Sequence, residues 1–319
     1  MNNSYKDILR DLININKKDL KIVQLSDDIV NALTFEQFKP GNRVVVTRRG
    51  EETDYYKLNS YIKGVISTKG KDPFTRENIS RRSISVMIRN EEEGIKKLLH
   101  ACREGDIQEV RKILNAGMDP NKGNSNGTTA LHIASRYGHT RIVKMLINKN
   151  ADVNKEDING FTSLHIASEM GRLEIIKELI KNGVDSNKKG IKDFTAIHFG
   201  CLNGHPEIVK LLIKNGGDPD EQTSNGFTGL SIGCMMGNTD IVELLLDFDI
   251  DMNKATKSGR TPIFIASLKG HIKIVKLLID SGADFNIVDK QGNTPLIIAF
   301  TKGHTEIAKM LMEADQLSA

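Results

Sequence analysis

A short sequence phrase recurs six times in this chain at one constant spacing, without insertion or deletion between the copies. A second phrase keeps the same spacing, reading GHTRIVKMLI from Gly138 in its first copy and GHTEIAKMLM from Gly303 in its last. Self-similarity at a fixed period of about 20–50 residues indicates a repeat architecture. The period therefore restricts about two thirds of the chain to a linear array of similar units. The first phrase reads TALHIA, TSLHIA, TAIHFG, TGLSIG, TPIFIA and TPLIIA, starting at Thr129, Thr162, Thr195, Thr228, Thr261 and Thr294.

Each unit is predicted to contain two helices joined by a turn at glycine. The second helix of the first clear copy carries apolar residues at helical spacing, including Ile142, Val143 and Leu146. Residues 150–154 then close the unit in a turn that requires positive φ. The Asn at the start of this segment, like the Gly at the same place in other copies, tolerates that conformation. One unit cannot bury its own apolar face, but a stack of units can.

The period, about 33 residues, and the TPLH-like phrase resemble those of ankyrin repeats. Counting back one period from Gly138 gives Gly105, and the segment 98–121 around it has the form of a degraded first unit. The resemblance implies a mainly α fold, an ankyrin solenoid of seven helix-turn-helix units over residues 93–316, with a tail at 317–319. It also implies that this part of the chain binds a protein and does not catalyse a reaction.

The three cysteines share one position in the repeat register. Cys102, Cys201 and Cys234 fall where Ser135 and Ser168 lie in other units. This coincidence predicts small buried residues under a helix and argues against metal ligands or a redox pair.

The histidines also fall at repeat positions, which leaves none for a catalytic dyad. His132, His165 and His198 occupy the fourth place of the TPLH-like phrase, and the resemblance implies that they bridge to loop backbone. The sequence contains no Walker loop, dinucleotide fingerprint or HExxH motif. We therefore expect no catalytic residue, no metal site and no cofactor.

The resemblance further locates the residues that face a partner. In ankyrin arrays the variable positions line the concave side, at the finger tips before each TPLH-like phrase and at the ends of the first helices. The residue before the Thr is Phe161, Phe194 and Phe227 in three successive units, which predicts a stacked ladder. Other apolar residues at partner-facing positions are Ile158, Met170, Ile191, Leu202, Met235 and Met236.

An exposed apolar patch of this kind usually marks an interface, and Phe and Met are favoured there. We therefore expect these nine residues to bind a partner protein, a substrate in the case of an enzyme. The alternative is that an aromatic residue before the Thr packs partly on its neighbour and has a structural role.

Farther along the chain the same register positions become basic. A basic stripe without interleaved aromatic residues fits an acidic protein rim or a solvated face better than nucleic acid. The net charge of +4 is also too small at this length to indicate a nucleic-acid partner. The basic residues are Lys257, Arg260, Lys269, Lys290 and Lys302.

Three features of the sequence bear on location. It has no apolar run of about 18 residues, so we expect no membrane span. Its first residues lack the order of a signal peptide, and three cysteines without an evident pairing fit a reducing compartment. We therefore expect a cytoplasmic protein, or alternatively a secreted effector of an intracellular microbe that acts in the host cytosol.

The N-terminal part of the chain, residues 1–92, has a different pattern. Residues 1–28 have the spacing of an amphipathic helix or two. In residues 29–92 we predict a strand at Val44–Thr47, a short helix within 51–65, a loop around 72–80 and a helix over 82–94.

This order of elements, together with Asp72-Pro73-Phe74-Thr75-Arg76, resembles the U-box, a zinc-free relative of the RING finger found in ubiquitin ligases. The resemblance covers about residues 29–90, an α+β domain whose closing helix corresponds to 84–89. The apolar-x-aromatic pair of the family's first loop is matched by Leu33 and Phe35. The family's acidic-Pro before the strand is replaced by the Lys-Pro-Gly-Asn of residues 39–42.

The U-box resemblance implies a ubiquitin ligase. Leu33, Phe35 and Pro73 would form the platform that docks a ubiquitin-conjugating enzyme, and Arg76 would bridge that enzyme and its linked ubiquitin. Such a ligase accelerates transfer by proximity and forms no covalent intermediate. The alternative is that these residues belong to an unrelated α+β cap and that the protein is an ankyrin adaptor without catalytic activity.

Overall fold

The structure is a computed structural model that describes residues 22–25, 45–48, 84–87 and 91–318. Residues 91–318 contain fourteen α-helices in seven consecutive pairs, which confirms a mainly helical, ankyrin-like solenoid. We call the first helix of each pair the inner helix and the second the outer helix. The inner helices are α1 (Glu91–Glu104), α3 (Ala130–Tyr137), α5 (Ser163–Glu169), α7 (Ala196–Leu202), α9 (Gly229–Met236), α11 (Pro262–Lys269) and α13 (Pro295–Thr301). The outer helices are α2 (Ile107–Asn115), α4 (Thr140–Asn148), α6 (Leu173–Lys181), α8 (Pro206–Lys214), α10 (Thr239–Leu246), α12 (Ile272–Asp280) and α14 (Thr305–Ser318).

The chain divides into two units, and each has its own organisation. The first comprises residues up to 101 together with 108–119, and the second comprises 102–107 and 120 onwards. In the second unit, successive inner helices pack on one another from α3 to α13, and successive outer helices pack from α4 to α14. The apolar side chains on the inward faces, such as Ile142, Val143 and Leu146, are fully buried by this stacking.

The six inner helices from α3 to α13 each begin directly after the threonine of the recurring phrase and end near the turn glycine. Thr129 is extended (φ −92°, ψ 171°), and its hydroxyl accepts the amide N–H of His132, which satisfies an unpaired donor of the first turn. Gly138 ends the helix with φ 82°, a left-handed conformation that an L side chain rarely adopts.

The histidine of the phrase links its own helix to the following finger, as the sequence predicts. In His132 the Nδ1 atom accepts the amide N–H of Thr129 at 3.0 Å, and Nε2 lies 3.0 Å from the carbonyl oxygen of Phe161. His165 makes the corresponding bond to the carbonyl of Lys188 at 2.9 Å, and His198 bonds that of Glu221 at 3.1 Å. An amide can only donate and a carbonyl can only accept, so each ring is neutral with its proton on Nε2.

Burial reinforces the neutral state of these rings. Desolvation lowers the pKa of His132 and His165, because a buried imidazolium loses the hydration of its charge. The same cause lowers the pKa of His198 to about 4. The three histidines are therefore structural bridges at neutral pH, and none is placed as a proton donor or acceptor for a reaction.

In the first unit, three short strands pair antiparallel in the order β1-β3-β2. They are β1 (Ile22–Leu25), β2 (Val45–Arg48) and β3 (Ile84–Met87), with Met87 opposite both Ile22 and Val45. The strand predicted at Val44–Thr47 lies within one residue of its observed place.

Two helix predictions in this unit are wrong. Residues 84–87 form the central strand β3, and the helix begins only at Glu91. The sequence ISVM contains two β-branched residues and gains ladder hydrogen bonds on both sides, which outweighs its compatibility with a helix. The segment 22–25 lies in the region of predicted helix at residues 1–28 but forms strand β1. This corrects the closing helix that the U-box resemblance implied.

The remaining predictions for the N-terminal part fall outside the described residues. These include the helix within 51–65 and the four positions assigned to docking of a conjugating enzyme, namely Leu33, Phe35, Pro73 and Arg76. In the part of the chain that the structure describes, no helix is both long and apolar enough to cross a membrane.

We predict that backbone amides of residues 228–245 exchange with solvent several-fold faster than those of 162–179 and 261–278. Ser231 replaces the bridging histidine and bonds only to Thr228, at 2.8 Å from its amide and 3.0 Å from its carbonyl. Gly233 lies inside α9, where a glycine costs roughly 0.5–1 kcal/mol. Hydrogen-exchange mass spectrometry measures the three segments in one experiment, and equal protection would contradict the prediction.

We also predict that the array loses stability as the pH falls from about 6.5 towards 4. The folded state takes up a proton on His198 less readily than the unfolded chain, so unfolding becomes more favourable in this window. Replacing His198→Ser, the residue found naturally at Ser231, removes this contribution while keeping a helix cap. Between pH 7 and pH 5 the wild type should lose about 1–2 kcal/mol more unfolding free energy than the variant in urea titrations. An identical pH dependence of the two proteins would refute the neutral bridge.

Candidate functional site

Each finger is a tight turn between an outer helix and the next inner helix. Its first residue usually anchors the turn through its side chain. The Asp157 carboxylate accepts the amide N–H of Asn159 at 2.8 Å and that of Phe161 at 3.0 Å. Asn124, Thr223, Thr256 and Asp289 hold the corresponding amides of their own fingers.

Adjacent fingers are joined by backbone hydrogen bonds. The amide of Ile158 donates to the carbonyl of Asn126 at 2.9 Å, and Lys290 donates to that of Ser258 at 3.0 Å. Two ion pairs add to these links, from Lys188 to Glu156 at 2.7 Å and from Lys189 to Glu221 at 2.8 Å. The fingers therefore form a continuous ridge, and equivalent residues lie in a row along it.

The finger at residues 190–194 departs from this pattern. Gly190 takes the place of the anchoring Asp or Thr, and Asp193 takes the place of the turn glycine. Asp193 has φ 59° and Lys192 has φ 57°, a left-handed conformation that costs roughly 1–2 kcal/mol for a non-glycine residue. The replacement of the turn glycine thus leaves two non-glycine residues in the left-handed region of this finger.

Gly190 is needed to accommodate Phe161. Its φ of −88° is available to any residue, so the backbone does not require glycine here. A Cβ atom at this position, however, would collide with the ring of Phe161, which packs against the glycine. Phe161, from the finger that begins at Asp157, therefore packs on the finger at residues 190–194. That finger has glycine in place of an anchoring side chain.

Phe161 and Phe194 belong to an aromatic cluster. The residue that links them is Phe199, which is not one of the three predicted phenylalanines. Phe199 lies 5.5 Å from Phe161 in an edge-to-face arrangement and 5.5 Å from Phe194, between ring centroids. Such pairs contribute about 0.5–1.5 kcal/mol beyond the area that they bury. Phe161 also packs on His165, and Phe194 packs on His198. The simple ladder of three rings is thus replaced by a cluster centred on Phe199.

Phe199 was missed because its repeat position is otherwise apolar and unremarkable. The corresponding residues are isoleucine in the five other copies of the phrase. The signal in the sequence is Phe199 itself, which is the one aromatic residue at this position of the phrase. The glycine that follows it is explained by the outer helix, because a methyl group on Gly200 would lie 2.8 Å from a methyl carbon of Val209.

Around this cluster the predicted residues differ in exposure. The finger-tip residues Ile158 and Ile191 are 67% and 50% exposed, and Met236 at the end of α9 is 48% exposed. These three present apolar surface to solvent. The other six are half-buried, namely Phe161, Met170, Phe194, Leu202, Phe227 and Met235.

The same rows become basic in the last two repeats. Lys257 and Lys290 occupy the finger-tip register of Ile158 and Ile191, and Lys269 and Lys302 occupy the inner-helix register of Met236. All four lysines are exposed.

Arg260 takes the register position of the phenylalanines. Its guanidinium lies 3.6 Å from the carboxylate of Asp289 and 5.6 Å from the ring centre of Phe264. Burial tends to raise the pKa of Asp289, but backbone amides of Asn293 and Gln291 and the charge of Arg260 outweigh it, so the pKa is lowered. Arg260 is therefore committed to an internal ion pair.

The cysteines lie away from this surface. Cys102, Cys201 and Cys234 are free thiols in the core, as predicted, and burial raises the pKa of Cys102 to about 12 and those of the other two further. They are therefore poor nucleophiles. Among the described residues no group of three or more His, Cys, Asp or Glu side chains is arranged to hold a metal ion.

Comparisons with known proteins agree with this geometry. The family model of ankyrin repeats matches the chain in three copies, at residues 98–190, 186–256 and 230–318. The crystal structure of the human ASB11 ankyrin repeat domain superposes with a TM-score of 0.62 at 25% identity, covering 67% of this chain and 96% of that domain. The chain is also 33% identical over 81 residues to the potassium channel KOR2 of Oryza sativa subsp. japonica.

The matches to the family model span more than half of the chain, so the protein belongs to the ankyrin-repeat family. The segment shared with the rice channel covers 25% of this chain and only 11% of the channel. Ankyrin repeats bind proteins, and the chain therefore carries a protein-interaction array.

We predict that Gly190→Ala destabilises the array by about 1–3 kcal/mol, because the added methyl group overpacks the site against Phe161. The control is the same substitution in a Phe161→Thr background, since threonine occupies this register position at Thr128. If the collision is the cause, the cost of Gly190→Ala falls by at least about 1 kcal/mol in that background. Equal costs in both backgrounds, measured by urea unfolding, would show that Phe161 is not the reason for the glycine.

Proposed function

We propose that this protein is an adaptor whose ridge of fingers and inner-helix ends binds a partner protein. The observation that carries the proposal is the exposed apolar surface of Ile158 and Ile191 at the finger tips and Met236 at the end of α9, together with the Phe161–Phe199–Phe194 cluster. Exposed apolar residues grouped on a rigid surface usually mark an interface.

The rigidity of the surface supports the same function. Side-chain anchors in most fingers, backbone links between fingers and the neutral histidine bridges hold most of the ridge in place before any partner arrives. A preorganised surface loses less conformational entropy on binding, which raises affinity for a given contact area. The buried cysteines are consistent with a reducing compartment, and we propose a cytoplasmic location, or the host cytosol if the protein is a secreted effector.

We predict that peptides selected by the purified chain from a random display library depend on this row. Replacing Ile158→Ser together with Ile191→Ser should weaken their binding at least tenfold, because two exposed apolar contacts are lost. The control is Met312→Ser, which removes an apolar residue that is 47% exposed on the outer helix α14. Peptides that bind all three proteins equally, measured by fluorescence anisotropy, would place the binding site elsewhere.

A second candidate function is ubiquitin ligation, with the array recruiting the substrate and the N-terminal domain recruiting a ubiquitin-conjugating enzyme. It is supported by the sequence series Leu33, Phe35, Pro73 and Arg76 and by a strand at Val45–Arg48. The strand at Ile84–Met87, in place of the family's closing helix, weighs against it. We therefore place the adaptor first.

The ligase candidate predicts that the full chain forms ubiquitin chains with activating enzyme, ATP and at least one member of a panel of conjugating enzymes. Phe35→Ala and Arg76→Ala should each abolish this activity, whereas Ile158→Ser should leave chain formation intact. Circular dichroism establishes that the variants are folded. Absence of chains with every conjugating enzyme would leave the adaptor as the function.

A further inference from the structure

We infer that the ridge binds an extended peptide, apolar at one end and acidic at the other. This inference rests on the proposed adaptor function and names the chemistry of its partner. It follows from the change of chemistry along two parallel rows of the array. The finger-tip row reads Ser125, Ile158, Ile191, Ser224, Lys257 and Lys290, and the inner-helix row reads Tyr137, Met170, Asn203, Met236, Lys269 and Lys302.

Lysines begin in both rows at the sixth repeat, after Ser224 in the finger-tip row and directly after Met236 in the inner-helix row. Ile158, Ile191 and Met236 belong to the third, fourth and fifth repeats, and lysines occupy both rows in the sixth and seventh. Since equivalent positions are aligned by the stacking of repeats, the two rows form one surface with an apolar half and a basic half. A single partner that covers both halves must carry complementary chemistry at its two ends.

The basic half carries charge that the protein itself does not neutralise. Among the described residues, Lys257, Lys269, Lys290 and Lys302 form no ion pair, while Lys188 and Lys189, which precede the finger at residues 190–194, each have a glutamate partner. The one acidic residue of the last two fingers, Asp289, is buried and paired with Arg260. Four exposed positive charges therefore face solvent on this half.

Acidic side chains of a peptide fit these lysines better than a nucleic acid does. Recognition of a single strand relies on aromatic side chains on which bases stack, and none of the four lysines has an aromatic residue beside it in either row. The adjacent half of the same surface is apolar, which a phosphate backbone cannot complement. A peptide can satisfy both halves with side chains of two kinds.

The length of the peptide follows from the spacing of the repeats. Packed helices lie about 8–10 Å apart, so the four steps from Ile158 to Lys290 span about 40 Å. An extended chain covers about 3.3 Å per residue, which gives about 12 residues. A segment of this length reaches both halves without folding back.

The test compares four dodecapeptide libraries in binding to the full chain. In three libraries one half of each peptide is drawn from Leu, Ile, Phe and Met, and the other half is acidic, amide (Asn and Gln) or basic, in both chain directions. The fourth library contains the apolar and acidic residues in scrambled order. We expect the apolar–acidic library to bind at least about tenfold more tightly than the apolar–amide library, with a preference that weakens as salt increases.

Two variants of equal net charge then locate the basic half. Lys257→Gln with Lys290→Gln should weaken apolar–acidic peptides about three- to tenfold and leave apolar–amide peptides unchanged. Lys210→Gln with Lys276→Gln, on the outer helices α8 and α12, removes two exposed lysines from the opposite helices and should change neither. Equal effects of the two variants would overturn the inference.

The outcomes separate this inference from the function on which it rests. Peptides that require Ile158 and Ile191 but show no preference for acidic residues would overturn the acidic partner and leave the adaptor function standing. Peptides that require neither the isoleucines nor the lysines would overturn both. A single-stranded or duplex DNA oligonucleotide that binds as tightly as the best peptide through Lys257 and Lys290 would replace the acidic peptide with a nucleic acid.

Discussion

The close approach of successive inner helices is the constraint on which the rest of this structure depends. The register position shared by Ser135, Ser168, Cys201, Cys234 and Ser267 is fully buried in five consecutive repeats. A methyl group on Gly229 would already lie 3.1 Å from the sulphur of Cys201, so the next helix leaves room only for small side chains. Close packing at this spacing is what buries the apolar faces that no single repeat can cover.

Uniform stacking also turns sequence register into position on a surface. Residues one period apart lie in rows along the array, so a substitution in one repeat places a new side chain at a known point of its row. The rows of Ile158 and Met236 therefore acquire their chemistry one repeat at a time, while the core stays almost constant. Variation at the surface and constancy in the core are two results of the same geometry.

The fingers differ in how their turns are held. Most fingers are held by an anchoring side chain, and a neutral histidine from the preceding repeat bridges to three of the fingers. The finger at residues 190–194 lacks the anchor because Gly190 must accommodate the ring of Phe161. Its tip also contains two left-handed residues, Lys192 and Asp193.

The sequence alone was sufficient for the features that depend on one repeat or on the period. Thr129 and Gly138 indicated where a helix begins and ends, and the shared register of Cys201 and Cys234 showed that they are buried, because these properties are local or repeated. The tertiary structure alone revealed that Phe199 joins Phe161 to Phe194. Ring contacts of this kind depend on how adjacent repeats are placed.

The same distinction explains the errors in the N-terminal part. Residues 84–87 were assigned to a helix because so short a pattern cannot separate a strand from a helix, and the strand exists through its pairing with 22–25 and 45–48. Sequence by itself therefore determined the repeat fold of residues 91–318, the turn at glycine between the two helices of a unit and which residues share a row of the surface. Only the tertiary structure decided which side chains meet across repeats or strands, because those contacts join residues that local sequence does not connect.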